Sequence, residues 1–185
     1  MGLRRGFKTE ADWYAADVRR SLGLEAGDPL CPWSLADHLD HIVVPLGEYA
    51  AAHPREVALL RGQTGPKGFS AVTLCVGGDR LVIYNDRHAP TRQAADIAHE
   101  LAHGLLMHQP MPLTSGTGAR HYDRASEDEA HWLGPALLVS REAALMIARG
   151  GEAPATAAAR YKVSLQLMQM RLRMTGALRR ARAST

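Results

Sequence analysis

From Ile97 to Leu106 the chain reads Ile-Ala-His-Glu-Leu-Ala-His-Gly-Leu-Leu, an apolar run interrupted by three ionisable side chains, His99, Glu100 and His103. A helix this apolar is buried on most sides, so its polar residues need partners. Residues four apart on a helix differ by about 40° in direction, so His99 and His103 project from one face, one turn apart. Their ring nitrogens can then meet one metal ion at about 2.0–2.1 Å. Glu100 points away from the line between them yet stays near the ion, where a carboxylate can act as general base. With nine His and nine Glu in 185 residues, chance placement would give roughly 0.02 copies of this HExxH pattern, so it is read as a zinc peptidase motif. A zinc peptidase needs a third protein ligand and one open position. On geometry alone His121, Glu127, Asp128, Glu129 and His131 compete for that place, whereas His108, five residues beyond His103 and about 140° round the helix, points elsewhere unless the helix ends early.

The surrounding chain reads as one helix-rich domain with a short C-terminal appendage. A helix over residues 9–22 places Trp13, Ala16 and Arg20 at helical spacing, and a second covers Pro32–Leu39. Ile42-Val43-Val44 reads as a strand, and residues 46–60 are ambiguous. Residues 71–76 and 81–84 are β-branched and apolar on either side of Gly77-Gly78, which predicts a hairpin. A long helix from about Thr91 to His108 carries the motif, stopped by Pro110 and Pro112. Ser126-Glu127-Asp128-Glu129 reads as the capped start of a helix that reaches Val139, with a kink expected at Gly134-Pro135. Ser140 caps a further helix to Arg149, and two short helices follow near Pro154–Tyr161 and Ser164–Met174. A boundary falls at Gly150–Pro154.

Composition limits the function classes. The chain is 46% hydrophobic and 22% charged with a formal net charge of +3, ordinary for a globular domain and too mild to identify a nucleic-acid binder. No apolar stretch approaches the roughly 18 residues of a membrane span, and the N-terminus lacks the apolar run of a secretory signal. The expected location is cytoplasmic, with Cys31 and Cys75 as two buried thiols in a reducing compartment.

The motif and its flanks are similar to a known family. Arg92-Gln93, then Ile97-Ala98-His99-Glu100-Leu101-Ala102-His103-Gly104-Leu105-Leu106-Met107-His108, resembles the active-site helix of the ImmA/IrrE zinc metallopeptidases. Leu81–Asn85 matches the family's strand ending in asparagine. Glu127-Asp128-Glu129-Ala130-His131 and Leu137-Leu138-Val139 resemble its E-x-E-A-N-x-F-A-x-x-L-L-M-P stretch. The resemblance covers roughly residues 30–175. It implies an α+β, mostly helical zincin-like metallopeptidase domain with a small β-sheet over residues 1–150, and an HTH-like helical element over 151–185. It further implies a zinc endopeptidase with His99, His103 and Glu129 as ligands, Glu127 in reserve, and Glu100 as the base that passes a proton from water to the leaving amine. By resemblance the substrate is a helix-turn-helix repressor, in toxin–antitoxin or stress-response regulation.

Departures fall at His131 for asparagine, Leu133-Gly134 for Phe-Ala and Ser140 for proline. Ala95-Asp96 stands for Phe-Thr, with Asp96 either solvated or orienting a ligand histidine. His121, Tyr122, Arg124 and His131 are candidate oxyanion stabilisers. Ala157–Ser164 followed by Leu165–Met174 reads like helix-turn-helix, and Arg171, Arg173, Arg179, Arg180 and Arg182 form a basic stretch that could contact phosphates. The alternative function is therefore a DNA-binding or protein-binding regulator with a structural or vestigial metal site. No membrane partner is expected.

Overall fold

The computed structural model describes residues 2–62, 68–108 and 123–182. Its elements run α1 (Phe7–Ser21), α2 (Pro32–His38), β1 (His41–Pro45), a 3-10 turn (Leu46–Tyr49), α3 (Pro54–Gly62), β2 (Ala71–Val76) and β3 (Asp79–Tyr84). They continue through α4 (Pro90–Leu105), α5 (Arg124–Leu138), α6 (Arg141–Arg149), α7 (Pro154–Arg160), α8 (Leu165–Met174) and α9 (Ala177–Arg182). The ambiguous stretch at 46–60 resolves into the 3-10 turn and α3. The expected class, α+β and mostly helical with a small sheet, is what the chain adopts.

The sheet has three strands in the order β1-β3-β2. Gly77 and Gly78 form the two-residue turn between β2 and β3, with φ of 62° and 105°. Both central positions of such a turn need positive φ, which glycine adopts without a Cβ clash. The turn sets the antiparallel register, pairing Val76 with Asp79 and Thr73 with Val82. β1 joins the other side of β3 in parallel, Val43 opposite Val82. Val82 is fully buried, and β3 is the interior strand.

Two apolar clusters hold the helices. The first joins Phe7, Ala11, Ala15 and Val18 of α1 to Leu35 of α2, Ile97 and Leu101 of α4, and Leu133 and Leu137 of α5. The alanines in it let helix axes approach closely. Trp13, on the expected helical stripe, is 54% exposed; the inward face of α1 is the row Phe7-Ala11-Ala15-Val18. The second cluster draws Leu138 and Val139 together with Ala143, Ile147, Tyr161, Met168 and Leu172, so apolar packing runs across both sides of Gly150–Pro154.

Several local readings are corrected. The N-cap of α5 is Asp123, whose side chain accepts from the backbone N–H groups of Ala125 and Ser126; Ser126 lies inside the helix. Ser140 does cap α6, accepting from the Ala143 N–H. Cys31 and Cys75 are exposed free thiols, not buried ones, because each sits at an element end facing outward.

Arg171 belongs to the interior, 1% exposed, as does Arg19. Arg171 Nε donates to the Val139 carbonyl, and Arg19 Nη2 donates to the carbonyls of Leu137 and Leu138. Both guanidinium groups serve the carbonyls at the C-terminus of α5, which have no partner within the helix, and Arg171 is not available to a phosphate. Burial pushes each guanidinium down to about 10. No helix among the described residues is long and apolar enough to cross a membrane.

Candidate metal centre

Two helices build the centre. α4 presents His99 and His103, and α5 lies against it at Gly134. A Cβ at Gly134 would come within 3.1 Å of both Cα and N of His99, so the missing side chain permits backbone-to-backbone approach. That contact sets which face of α5 looks at the histidines. Glu127 lies seven residues before Gly134, about 20° from it around the helix, whereas Glu129 lies about 140° away.

Glu127 accordingly meets the histidine pair. Among the described residues His99, His103 and Glu127 form one group with their donor atoms within 4.8 Å of one another. The Nε2 atoms of His99 and His103 are 3.2 Å apart. Glu127 brings Oε2 to 3.4 Å from His99 Nε2 and Oε1 to 3.7 Å from His103 Nε2. Donors held at about 2.0–2.1 Å from one tetrahedral ion lie roughly 3.3–3.4 Å apart. Two imidazoles and a carboxylate grouped at this spacing could hold a divalent metal ion.

Electrostatics favour the ligand forms of these groups. Burial, reinforced by the neighbouring His99, pushes His103 down to about 4, leaving a neutral imidazole at neutral pH. The hydrogen bond from His99 is the main cause holding the Glu127 carboxyl below its usual range, so it is ionised.

The other expected residues fall around this core. Glu100 accepts a 2.6 Å hydrogen bond from the Thr73 hydroxyl on β2. Thr73 and Val82 are cross-strand partners, so they share the face of the sheet that packs on α4. Sequence reasoning did not single out Thr73; its signal was the one hydroxyl between Val72 and Leu74 in an apolar strand.

Glu129, which the resemblance named as ligand, sits apart from the group. Its Oε1 accepts from Arg4 Nε at 2.8 Å and its Oε2 lies 3.4 Å from His108 Nε2. The seven-residue spacing from Glu127 to Gly134 separates the two glutamates once Gly134 is seen to face α4. Asp128 receives the Gly2 N–H at 3.0 Å. His131 meets His99 edge-to-face, with ring centroids 4.5 Å apart, and its side chain is 58% exposed, beside the pair and open to solvent. Arg124 is exposed at the start of α5, while His121 and Tyr122 lie outside the described residues. Asp96 pairs with His88 at 3.1 Å and Arg92 at 3.7 Å, so it orients the turn before α4 and neither histidine of the pair.

Comparison with curated protein sequences gave no match. The family model described as the IrrE N-terminal-like domain, Peptidase M78, matches residues 60–173. That span is more than half of the chain and contains the strand carrying Thr73, the helix carrying His99 and His103, and the helix carrying Glu127 and Glu129. By this match the chain belongs to the ImmA/IrrE peptidase family.

Proposed function

We propose that this chain is a zinc endopeptidase of regulatory type that cuts a helix-turn-helix repressor. The observation that carries the reading is the grouping of His99, His103 and Glu127 beside Glu100. In this reading His99, His103 and Glu127 hold the metal, with Glu129 as the competing third ligand. Bound there, zinc supplies Lewis acidity at a scissile carbonyl and lowers the pKa of water.

The protein's own groups do the rest. Glu100, steadied by Thr73, takes a proton from the attacking water and delivers it to the departing amine nitrogen. His131, exposed beside His99, is a candidate donor to the developing oxyanion. β3 is interior, so pairing with an extended substrate segment falls to the edge strand β2, which holds Thr73 beside Glu100. A repressor is the proposed substrate by family likeness, and regulation of toxin–antitoxin type is proposed on the same ground.

A second reading keeps the metal site as structural and makes the chain a DNA- or partner-binding regulator, located in the cytoplasm as the first reading also requires. It is favoured by Arg173, Arg179 and Arg180, all exposed on α8 and α9. Arg171 does not contribute to that surface.

One comparison tests the pair. New protein N-termini are mapped in cells producing the wild type or Glu100→Gln, and zinc per chain is measured on both purified proteins and on Glu127→Ala. About one zinc in the first two, a loss in Glu127→Ala, and a new N-terminus in a helix-turn-helix protein with the wild type alone would support the peptidase. Regulation preserved in Glu100→Gln, with no new N-terminus, would transfer the function to the binding reading.

A further inference from the structure

Helix α4 was expected to reach His108, which would have pointed that side chain away from the site. It ends at Leu105 instead. Met107 takes a left-handed φ of 51°, its N–H donates to the Gly104 carbonyl and the His108 N–H donates to the His103 carbonyl, each at 3.0 Å. These two bonds make a Schellman motif, in which the residue after the left-handed one folds back onto the helix residue five positions earlier. That contact is commonly apolar; here it joins two imidazoles. His103 Nδ1 and His108 Nδ1 are 2.9 Å apart. Beyond His108 the line continues through Nε2 to Glu129 Oε2 at 3.4 Å, and from Glu129 Oε1 to Arg4 Nε at 2.8 Å. Arg4 is itself anchored on α1 by Glu10, Nη2 to Oε1 at 2.7 Å.

We propose that His108, Glu129 and Arg4 are positioning residues that form a relay of one polarity behind the metal-binding face of His103. The proposal rests on the reading above that His103 binds metal through Nε2. A bond between two Nδ1 atoms holds one proton. When the Nε2 lone pair of His103 faces a metal, the proton of the neutral ring sits on Nδ1, so His103 donates and His108 accepts. His108 then presents its Nε2–H to Glu129 Oε2. Glu129 takes the Arg4 N–H on its other oxygen, Oε1. Reversing the polarity would place a proton on His103 Nε2 and aim a bare His108 lone pair at a carboxylate. Metal binding and the relay thus select the same arrangement of protons. Partners of this kind fix ring orientation and are worth about 10–100-fold in metal affinity. The relay also ties the metal site to the N-terminal segment through Arg4.

The full-length chain is tested by zinc affinity, measured by competition with a chromophoric chelator, by the cobalt(II) spectrum, and by imidazole nitrogen-15 shifts of the zinc-loaded protein. His108→Ala and Glu129→Gln should weaken zinc binding about tenfold or more, with the cobalt coordination number unchanged. Arg4→Ala, at an exposed residue whose loss leaves the core intact, should weaken it roughly twofold. The shifts should place the proton on Nδ1 of His103 and on Nε2 of His108. Wild-type affinity in both Glu129→Gln and Arg4→Ala, or a proton on Nδ1 of His108, overturns the relay while leaving the metal site standing. A cobalt spectrum altered by Glu129→Gln and unaltered by Glu127→Ala overturns it by making Glu129 a ligand. A wild type that binds neither ion overturns the metal site and the relay with it.

Discussion

The Thr73 hydroxyl donates a 2.6 Å hydrogen bond to Oε2 of Glu100, tying the middle of the edge strand β2 to the residue that follows the first histidine of the pair. A hydroxyl at this place fixes a carboxylate that would otherwise sample several rotamers at the end of a flexible side chain. In the peptidase reading, the base is thereby aimed before any substrate arrives.

Thr73→Val, nearly the same shape without the donor, should lower kcat for repressor cleavage about tenfold, because a hydrogen bond to a charged group is lost and the base is less well oriented. Zinc content should stay at the wild-type level, and Thr73→Ser should recover most of the rate. Equal kcat in Thr73→Val would show that Glu100 is held by its other surroundings.

Gly134→Ala tests the close approach of α4 and α5. The added methyl would meet His99 backbone atoms at 3.1 Å, and backbone cannot step aside as a side-chain tip can. Overpacking of this kind costs about 1–3 kcal/mol, partly offset by about 1 kcal/mol of helix propensity. The melting temperature should fall and zinc affinity should fall with it, since Glu127 is carried on the helix that is pushed away. Unchanged zinc affinity would mean that the helix spacing does not govern the third ligand.

Met107 occupies a left-handed conformation that favours glycine and is 78% exposed. Met107→Gly should stabilise the metal-free protein by up to about 1 kcal/mol in denaturant unfolding and leave zinc affinity alone. Met107→Val should do the reverse, with a loss of zinc affinity as the Schellman turn opens and His108 leaves His103. If Met107→Val kept full zinc affinity, the turn would not be what holds His108 in place.

Asp123 caps α5, and its carboxyl is held below the usual range chiefly by the Ser126 hydroxyl, then by the N–H groups of Ala125 and Ser126. A carboxyl with a depressed folded pKa adds stability that is complete above its unfolded value of 3.8 and is lost as pH falls through the lower folded value. Asp123→Ala should therefore melt below the wild type at neutral pH, with the gap narrowing as pH drops beneath that value. A gap independent of pH would remove the charged cap as its cause.

The facing histidine pair of α4, the glutamate beside it and the family were open to reading from the sequence, because all depend on short-range spacing. Two histidines four apart share a helix face wherever the helix packs, and an apolar helix does not keep three ionisable groups without a use for them. The Gly77-Gly78 hairpin and the Ser140 cap were legible for the same reason. Glu127 against Glu129 was a different kind of question. Both lie on one turn of α5, and the choice turns on which face meets α4, set by the approach at Gly134 and by apolar packing from elements far apart in sequence. Arg171 shows the same limit. A run of arginines reads as a basic surface until packing directs one of them to the carbonyls that end α5. His108 shows it again, since a left-handed turn at Met107, where no glycine announces it, returns the ring to His103. Local periodicity places residues on a helix face; burial and the direction of approach between helices decide which of two similar side chains faces a given partner.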